Sequence, residues 1–498
     1  MSLLDVLEGQ PADRIAIVVP DAGARITYGS LRNQVEAMAE AFAAAGIGRG
    51  DRVALALPNG PPAIVCFLAA SLAGAAAPLN PGYREEEFRF YLEDTAARLL
   101  VVPPDAGEEA RRAAEGRMPI LEAAIDAQGV VRLAGGGAGR TGRNACATET
   151  DVALVLHTSG STGRPKRVPL SHGNLLVSLD NIVNTYQLGP DDVALCLMPL
   201  FHVHGLMASA LATLRSGGTV VIPSRFNALS FWRLVRESGT TWYSAVPTIH
   251  QLILARLGQE RPPGAERLRF IRSCSAPLAV ETAQRLEAVI GAPVLEAYGM
   301  TEASHQMSSN PLPPAQRKFG TVGPGTGVEI SIMDATGSHL DSGQVGEVVI
   351  RGPNVTAGYE NNPEANASSF TNGWFLTGDQ GVLDSAGYLR LTGRLKELIN
   401  RGGEKISPLE IDEVLRGHPA VAEAVCFGVP HPSWGEEVAA AVVLNNAASE
   451  ADLLAYCRDR LADFKRPKKI HIVDAIPRTA TGKIQRRVVA EALAAPQA

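Results

Sequence analysis

Apolar residues recur with two spacings through the first part of the chain. Arg52-Val53-Ala54-Leu55-Ala56-Leu57 and Leu99-Leu100-Val101-Val102 are short, dense runs that predict buried strands, and Leu31 to Ala45 has the spacing of an amphipathic helix. Alternation of this kind predicts an α/β arrangement. The longest apolar run, Ala63 to Ala77, contains Ser71 and Gly74 and falls short of the ~20 residues that span a bilayer, so it predicts a buried helix. The stretch Gly135-Gly136-Gly137-Ala138-Gly139 predicts a flexible surface segment leading to a strand at Val152 to Leu156. A second α/β series runs from Val193-Ala194-Leu195-Cys196-Leu197 to Val294-Leu295-Glu296-Ala297-Tyr298. After Gly327 the pattern turns to short β segments, read as a β-barrel-like part, and near Gly393 it turns again, to the order strand, helix, strand, strand, helix, strand. The expected fold is therefore α/β: a large N-terminal domain over 1–393 and a small C-terminal α+β domain over 394–498.

Composition narrows the partners. The 498 residues carry 46 Lys+Arg against 52 Asp+Glu, a net charge of −6, which disfavours sequence-independent binding to nucleic acid. At about 150 residues per domain, the length suggests about three folding units. The six cysteines, Cys66, Cys146, Cys196, Cys274, Cys426 and Cys457, form no C-x-x-C pair, and no histidine cluster has metal-ligand spacing. A reducing, cytoplasmic setting is expected, with no membrane segment and no secretory or peroxisomal signal at the ends. From Arg458 to Arg487 ten basic residues face three acidic ones, which reads either as a solvated face or as a surface for an anionic small molecule.

The densest chemistry follows the strand at Val152. Thr158-Ser159-Gly160-Ser161-Thr162-Gly163-Arg164-Pro165-Lys166 combines glycines that admit backbone N–H groups, hydroxyls that donate, and a lysine that adds charge. Taken alone it reads either as an ordinary loop or as a polyphosphate cradle, and it does not match G-x-x-x-x-G-K-[ST].

This loop resembles the signature of the adenylate-forming superfamily, which includes acyl-CoA synthetases, firefly luciferases and peptide-synthetase adenylation domains. Four further stretches match in the same order: Tyr298-Gly299-Met300-Thr301-Glu302, Thr377-Gly378-Asp379, Gly393-Arg394-Leu395-Lys396-Glu397-Leu398 and Thr481-Gly482-Lys483. The resemblance implies a carboxylate that attacks the α-phosphate of ATP, followed by transfer of the acyl group to the thiol of CoA. It implies ATP contacts from Thr158, Ser159, Gly160, Ser161, Thr162, Lys166, Ala276, Glu296, Ala297 and Tyr298. Thr301 would meet the α-phosphate and Glu302 would hold Mg²⁺, which suits one carboxylate plus substrate phosphates. Asp379 would accept the ribose hydroxyls, with Arg394 on the nucleotide side. Lys483 would bridge carboxylate and α-phosphate, and Thr301, Glu302 and Lys483 are the implied catalytic set. Lys396 matches the hinge about which the C-terminal domain moves, and Gly403 the loop facing the pantetheine of CoA. Arg167 departs from the glycine that many relatives carry after the loop lysine.

The acid is read from the pocket stretches. Phe201-His202-Val203-His204-Gly205 brings two imidazoles, Ser273-Cys274-Ser275-Ala276-Pro277 replaces a common Ser-Gly-Gly-Ala-Pro, and His305 follows the Thr-Glu motif. A small anionic acid is expected, because a long acyl chain wants an apolar tunnel and a second buried carboxylate needs donors. By residue type alone His202 and His305 read equally as acid-binding or as satisfied structural or ATP-contacting side chains, and His204 as structural or ATP-contacting. These stretches, with Met307-Ser308-Ser309-Asn310-Pro311-Leu312 and Ile399 to Pro408, are similar to the oxalyl-CoA synthetases of plants and fungi. That closer resemblance implies oxalate held by His202, Ser275 and His305, with no carrier protein as acceptor. Malonate or a medium-chain acid are the alternatives within this chemistry, and a luciferase-like oxygenase the alternative outside it.

Overall fold

The structure, a computed structural model, describes residues 1–135, 147–158, 165–258, 260–478 and 484–494, the last of these without its side chain. The glycine-rich stretch from Gly136 onward lies outside the described residues, as do Ser159, Gly160, Ser161, Thr162 and Lys483. Contacts divide the chain into two compact units, residues 1–329 with 351–373, and residues 330–350 with 374–498. This division differs from 1–393/394–498 because Val345–Arg351, Trp374–Leu383 and Leu389–Arg394 pair as one antiparallel sheet, with Val345 opposite Val382 and Asp379 opposite Arg394.

The first unit contains two mostly parallel sheets. One has seven strands in the order Val131–Ala134, Ile120–Ile125, Leu99–Val102, Arg52–Leu55, Ala75–Pro78, Val152–Thr158, Lys166–Ser171. Its inner strands Leu99–Val102, Arg52–Leu55 and Ala75–Pro78 are parallel and apolar but for Arg52 at the start of one, as expected of strands covered on both faces. The run from Ala63 to Ala77 differs from the single helix expected. Pro61–Ala73 is helical and buried, and Ala75–Pro78 is a strand. Gly74 makes the break, since a Cβ there would stand 2.4 Å from the Asp51 carbonyl oxygen.

The other sheet has eight strands in the order His305–Ser309, Val294–Met300, Phe270–Ser273, Trp242–Ala245, Val193–Cys196, Thr219–Val221, Ile15–Val19, Ala24–Thr27. Tyr243, Ile271 and Val294 from its parallel strands share a core cluster with Phe231, Leu286 and Ile290. Strand Phe270–Ser273 alternates, so Ile271 enters that cluster while Phe270 stacks on Trp242 and Tyr186, with ring centroids 5.2 and 5.0 Å apart.

In the second unit, Ile399–Arg401 and Glu404–Ile406 form a hairpin, and Val421–His431, Gly435–Leu444 and Lys469–Ile472 complete a five-stranded sheet. Helices Pro408–Arg416 and Glu450–Arg458 supply Ile411, Leu415, Leu453 and Cys457 to its core. A final helix, Arg486–Ala494, was not expected from the sequence. Much of the basic run is spent inside this unit: Lys465 pairs with Glu410, Arg466 with Asp463, Lys469 with Glu450, Arg478 with Glu423, and Arg486 with both Glu397 and Asp412. Among the described residues no helix is long and apolar enough to cross a membrane.

Candidate active site

Open α/β sheets place their ligand sites beyond the carboxyl ends of the parallel strands. The candidate residues of the first unit cluster there. The hairpin Val152–Thr158/Lys166–Ser171 sets Thr158 directly opposite Lys166, so the two described ends of the candidate phosphate loop are cross-strand partners. Lys166 Nζ lies 4.2 Å from the ring centroid of Tyr359, a cation–π distance. Arg167, at the departure from glycine, pairs with Asp94 and Glu360, and Asp94 also meets His157 at 3.0 Å. This arginine therefore ties the base of the loop to the neighbouring helix.

Thr301 and Glu302 begin a short 3-10 turn at the end of strand Val294–Met300 and are 8% and 5% exposed. Glu302 Oε1 accepts from the Tyr359 hydroxyl at 2.9 Å and from Thr158 Oγ1 at 3.3 Å. Its Oε2 has no hydrogen-bond partner among the described residues. A buried carboxylate with one oxygen committed and one unspoken for fits a magnesium ion whose remaining ligands are phosphate oxygens and water. Ala297 and Tyr298 pair with Ser309 and Ser308 across the sheet edge, and Glu296 accepts from the Gly320 N–H at 3.3 Å.

The histidines and serines of the acid pocket form one network. Helical turns from His204 to Leu211 have the wide π spacing, and Gly205 is required inside them because a Cβ would lie 2.3 Å from the Pro199 carbonyl oxygen. His204 Nδ1 is 3.0 Å from Ser275 Oγ, and His204 Nε2 is 2.6 Å from Ser244 Oγ. The His204 and His305 rings stack with centroids 5.4 Å apart. His202 joins through its Nδ1, which accepts the His204 backbone N–H at 3.2 Å. The structure thus brings Ser275 and His305 together through His204, the histidine read from sequence as structural or ATP-contacting.

Ser275 (φ +73), Ser304 (φ +53) and His305 (φ +107) occupy the left-handed region that favours glycine. Non-glycine residues held there cost of order 1–3 kcal/mol and concentrate at functional sites. Gly299 allows the His305 backbone to close in, since a Cβ there would stand 1.9 Å from the His305 carbonyl oxygen. Behind these side chains Arg272 is fully buried, next to Ser244 in the sheet register. Arg272, Ser244, Tyr186 and Gln306 were not singled out from sequence. Their only signal was a charged residue in the otherwise apolar run Phe270-Ile271-Arg272.

The second unit holds the other expected residues. Asp379, 7% exposed, accepts from Arg394 Nε at 2.8 Å, and its backbone N–H donates to Thr377 Oγ1 at 3.1 Å. Gly378 (φ +73) donates its N–H to Glu347 at 2.9 Å, and burial raises the Glu347 carboxyl. Lys396 is exposed on the short turn Leu395–Glu397, and Gly403 (φ +96) lies at the tip of the next hairpin.

The sequence matches the AMP-binding enzyme family over residues 4–360 and the AMP-binding enzyme C-terminal domain over 410–483. It is 46% identical to an oxalate–CoA ligase of Arabidopsis thaliana, over 94% of this chain and 93% of that one. It is 38% identical to a sulfoacetate–CoA ligase of Cupriavidus necator, over 97% and 96%. The crystal structure of ATP-bound MatB from Rhodopseudomonas palustris superposes with a TM-score of 0.89 at 32% identity, covering 99% of both chains. With this likeness along its whole length, and with the motif residues at the strand ends just described, the chain belongs to the AMP-binding enzyme family of adenylate-forming ligases.

Proposed function

We propose that this protein is an ATP- and Mg²⁺-dependent oxalate–CoA ligase. One oxalate oxygen attacks the α-phosphorus of ATP and pyrophosphate leaves. The CoA sulfur then attacks the carbonyl of oxalyl-AMP, and AMP leaves with the bonding electron pair. The observation that carries the acid assignment is the polar network of His204, Ser275 and His305, which supplies donors for a second carboxylate where a long acyl chain would need apolar walls. The oxalate–CoA ligase relative supports the same reading.

The roles are those that the family resemblance implies. His202, Ser275 and His305 hold the acid. Thr301 donates to the α-phosphate as charge builds on its oxygens, and fixed donors of this kind need no reorganisation. Glu302, together with the substrate phosphates, would hold a magnesium ion, which would supply Lewis-acid charge there. Asp379 accepts the ribose hydroxyls, with Arg394 beside it. Thr158, Ser159, Gly160, Ser161, Thr162 and Lys166 cradle the phosphates, and Ala276, Glu296, Ala297 and Tyr298 line the nucleotide. Lys483 bridges the acid and the α-phosphate, and the chain from 394 onward turns about Lys396 so that Gly403 meets pantetheine. The five cysteines among the described residues are unpaired and buried, in keeping with cytoplasmic work.

The test is CoA-dependent AMP formation on oxalate, malonate, sulfoacetate, octanoate and 4-coumarate. Oxalate is expected to give the largest kcat/KM, and a preference for octanoate or coumarate would end the oxalate reading. Lys483→Ala should abolish adenylate formation while sparing thiolation of supplied oxalyl-AMP. Equal loss of both half-reactions would remove the assignment of that lysine.

A further inference from the structure

Arg272 is fully buried, and every partner it has among the described residues is neutral or a histidine. Nε donates to the Tyr186 hydroxyl at 2.8 Å, Nη1 to Ser244 Oγ at 3.0 Å, and Nη2 to His305 Nε2 at 3.1 Å and Gln306 Oε1 at 3.0 Å. His204 Nε2 lies 3.5 Å from Nη1. Four acceptor atoms therefore stand within 3.1 Å of the guanidinium, and none of these belongs to a carboxylate. Burial pushes the Tyr186 phenol up, so it offers no negative charge. A buried cation without a counter-ion is costly, and such a site gains most from a bound anion.

A guanidinium has no lone pair, so each bond it makes has one direction. Ser244 Oγ accepts from Arg272 and turns its own proton to His204 Nε2. His204 then carries its proton on Nδ1 and donates to Ser275 Oγ, which leaves the Ser275 hydroxyl proton for the pocket. In the second branch His305 accepts on Nε2 and keeps its proton on Nδ1. We propose that Arg272 is a positioning residue that fixes the proton positions of both branches, with the Ser275 hydroxyl turned to the acid, and so selects acids bearing a second anionic group. This inference rests on the acid-pocket reading of Ser275 and His305 given above.

Steady-state kinetics of the full-length enzyme with oxalate and with acetate, an acid of similar size and one charge fewer, test it. Arg272→Met should raise the KM for oxalate about 100-fold, the loss of a charge-assisted network, with a far smaller change for acetate and none in the KM for ATP. Arg272→Lys, which keeps charge but not the fork, should recover part of the loss. Gln306→Glu gives Arg272 a carboxylate in place of the amide, so it should fold as an ion pair and still weaken oxalate in the same direction. An unchanged KM for oxalate in Arg272→Met or Gln306→Glu, or equal losses for oxalate and acetate, would overturn the proposal. A wild type that prefers malonate or sulfoacetate to oxalate would overturn only the oxalate assignment, and the variants would then be judged on that acid. A wild type that prefers octanoate or coumarate would overturn both.

Discussion

Two buried arginines, one in each unit, are treated in opposite ways. In the second unit Arg486, 11% exposed, meets Asp412 at 2.5 Å and Glu397 at 3.0 Å, and donates to the Cys426 carbonyl at 2.8 Å. Asp412 also accepts the Cys426 N–H, so its carboxylate is paired and hydrogen-bonded on both oxygens. In the first unit Arg272 is as deeply enclosed and has no carboxylate partner among the described residues. Both guanidiniums are hydrogen-bonded through all three nitrogens, so hydrogen bonding alone does not separate them. Charge balance does: the first is a closed structural lock between helices Pro408–Arg416 and Arg486–Ala494, and the second is left open for a ligand.

The comparison breaks most visibly on stability. Asp412→Ala strands Arg486 and should destabilise the second unit by about 3–5 kcal/mol, read by hydrogen exchange in strands Val421–His431 and Gly435–Leu444. Arg272→Met removes a charge that had no counter-ion among the described residues, so its cost should be much smaller. Equal costs for the two variants would erase the distinction.

A smaller effect should separate the units by pH. Burial pushes His172 and His250, both in the first unit, down to about 4. Their folded values lie below the ordinary 6.5, so the unfolded chain takes up the proton first as pH falls. Stability is thus complete above about 6.5 and is lost progressively toward 4, by about 2 kcal/mol per histidine at pH 5. Hydrogen exchange at pH 7.5 and pH 5 should show the first unit loosening by that amount. An acid shift confined to the second unit would contradict the burial of these imidazoles.

The smallest effect is at Ser275. Ser275→Gly relieves a left-handed backbone and should stabilise the protein by about 1 kcal/mol, seen as a higher Tm. It should also cut the preference for oxalate over bulkier acids roughly tenfold, through loss of one hydroxyl donor. Unchanged selectivity would count against the pocket.

The sequence was most legible where function is local. The phosphate-loop, Thr-Glu and Thr-Gly-Asp motifs each sit within a few residues, and their strand context follows from short apolar runs. Leu31 to Ala45 reads as the helix it is, Tyr28–Ala44, because its spacing is set by one buried face. The network around Arg272 was not legible, since Tyr186, Ser244 and Gln306 lie 86, 28 and 34 residues away and meet it only through sheet order and helix placement. His204 read as a satisfied side chain because residue type alone does not show that its two nitrogens meet Ser275 and Ser244. The basic run near the C-terminus concealed both a helix and a set of ion pairs, because charge patterning does not say which acidic residues return to it.

The left-handed serine also bears on how this enzyme can change. At most positions drift toward a more stable protein and drift away from function are separate routes, but at Ser275 they are the same step. A single replacement by glycine rewards any selection for robustness while widening the range of acids admitted. Persistence of serine in descendants of this chain would record selection on substrate choice, and its loss would mark lineages released from it.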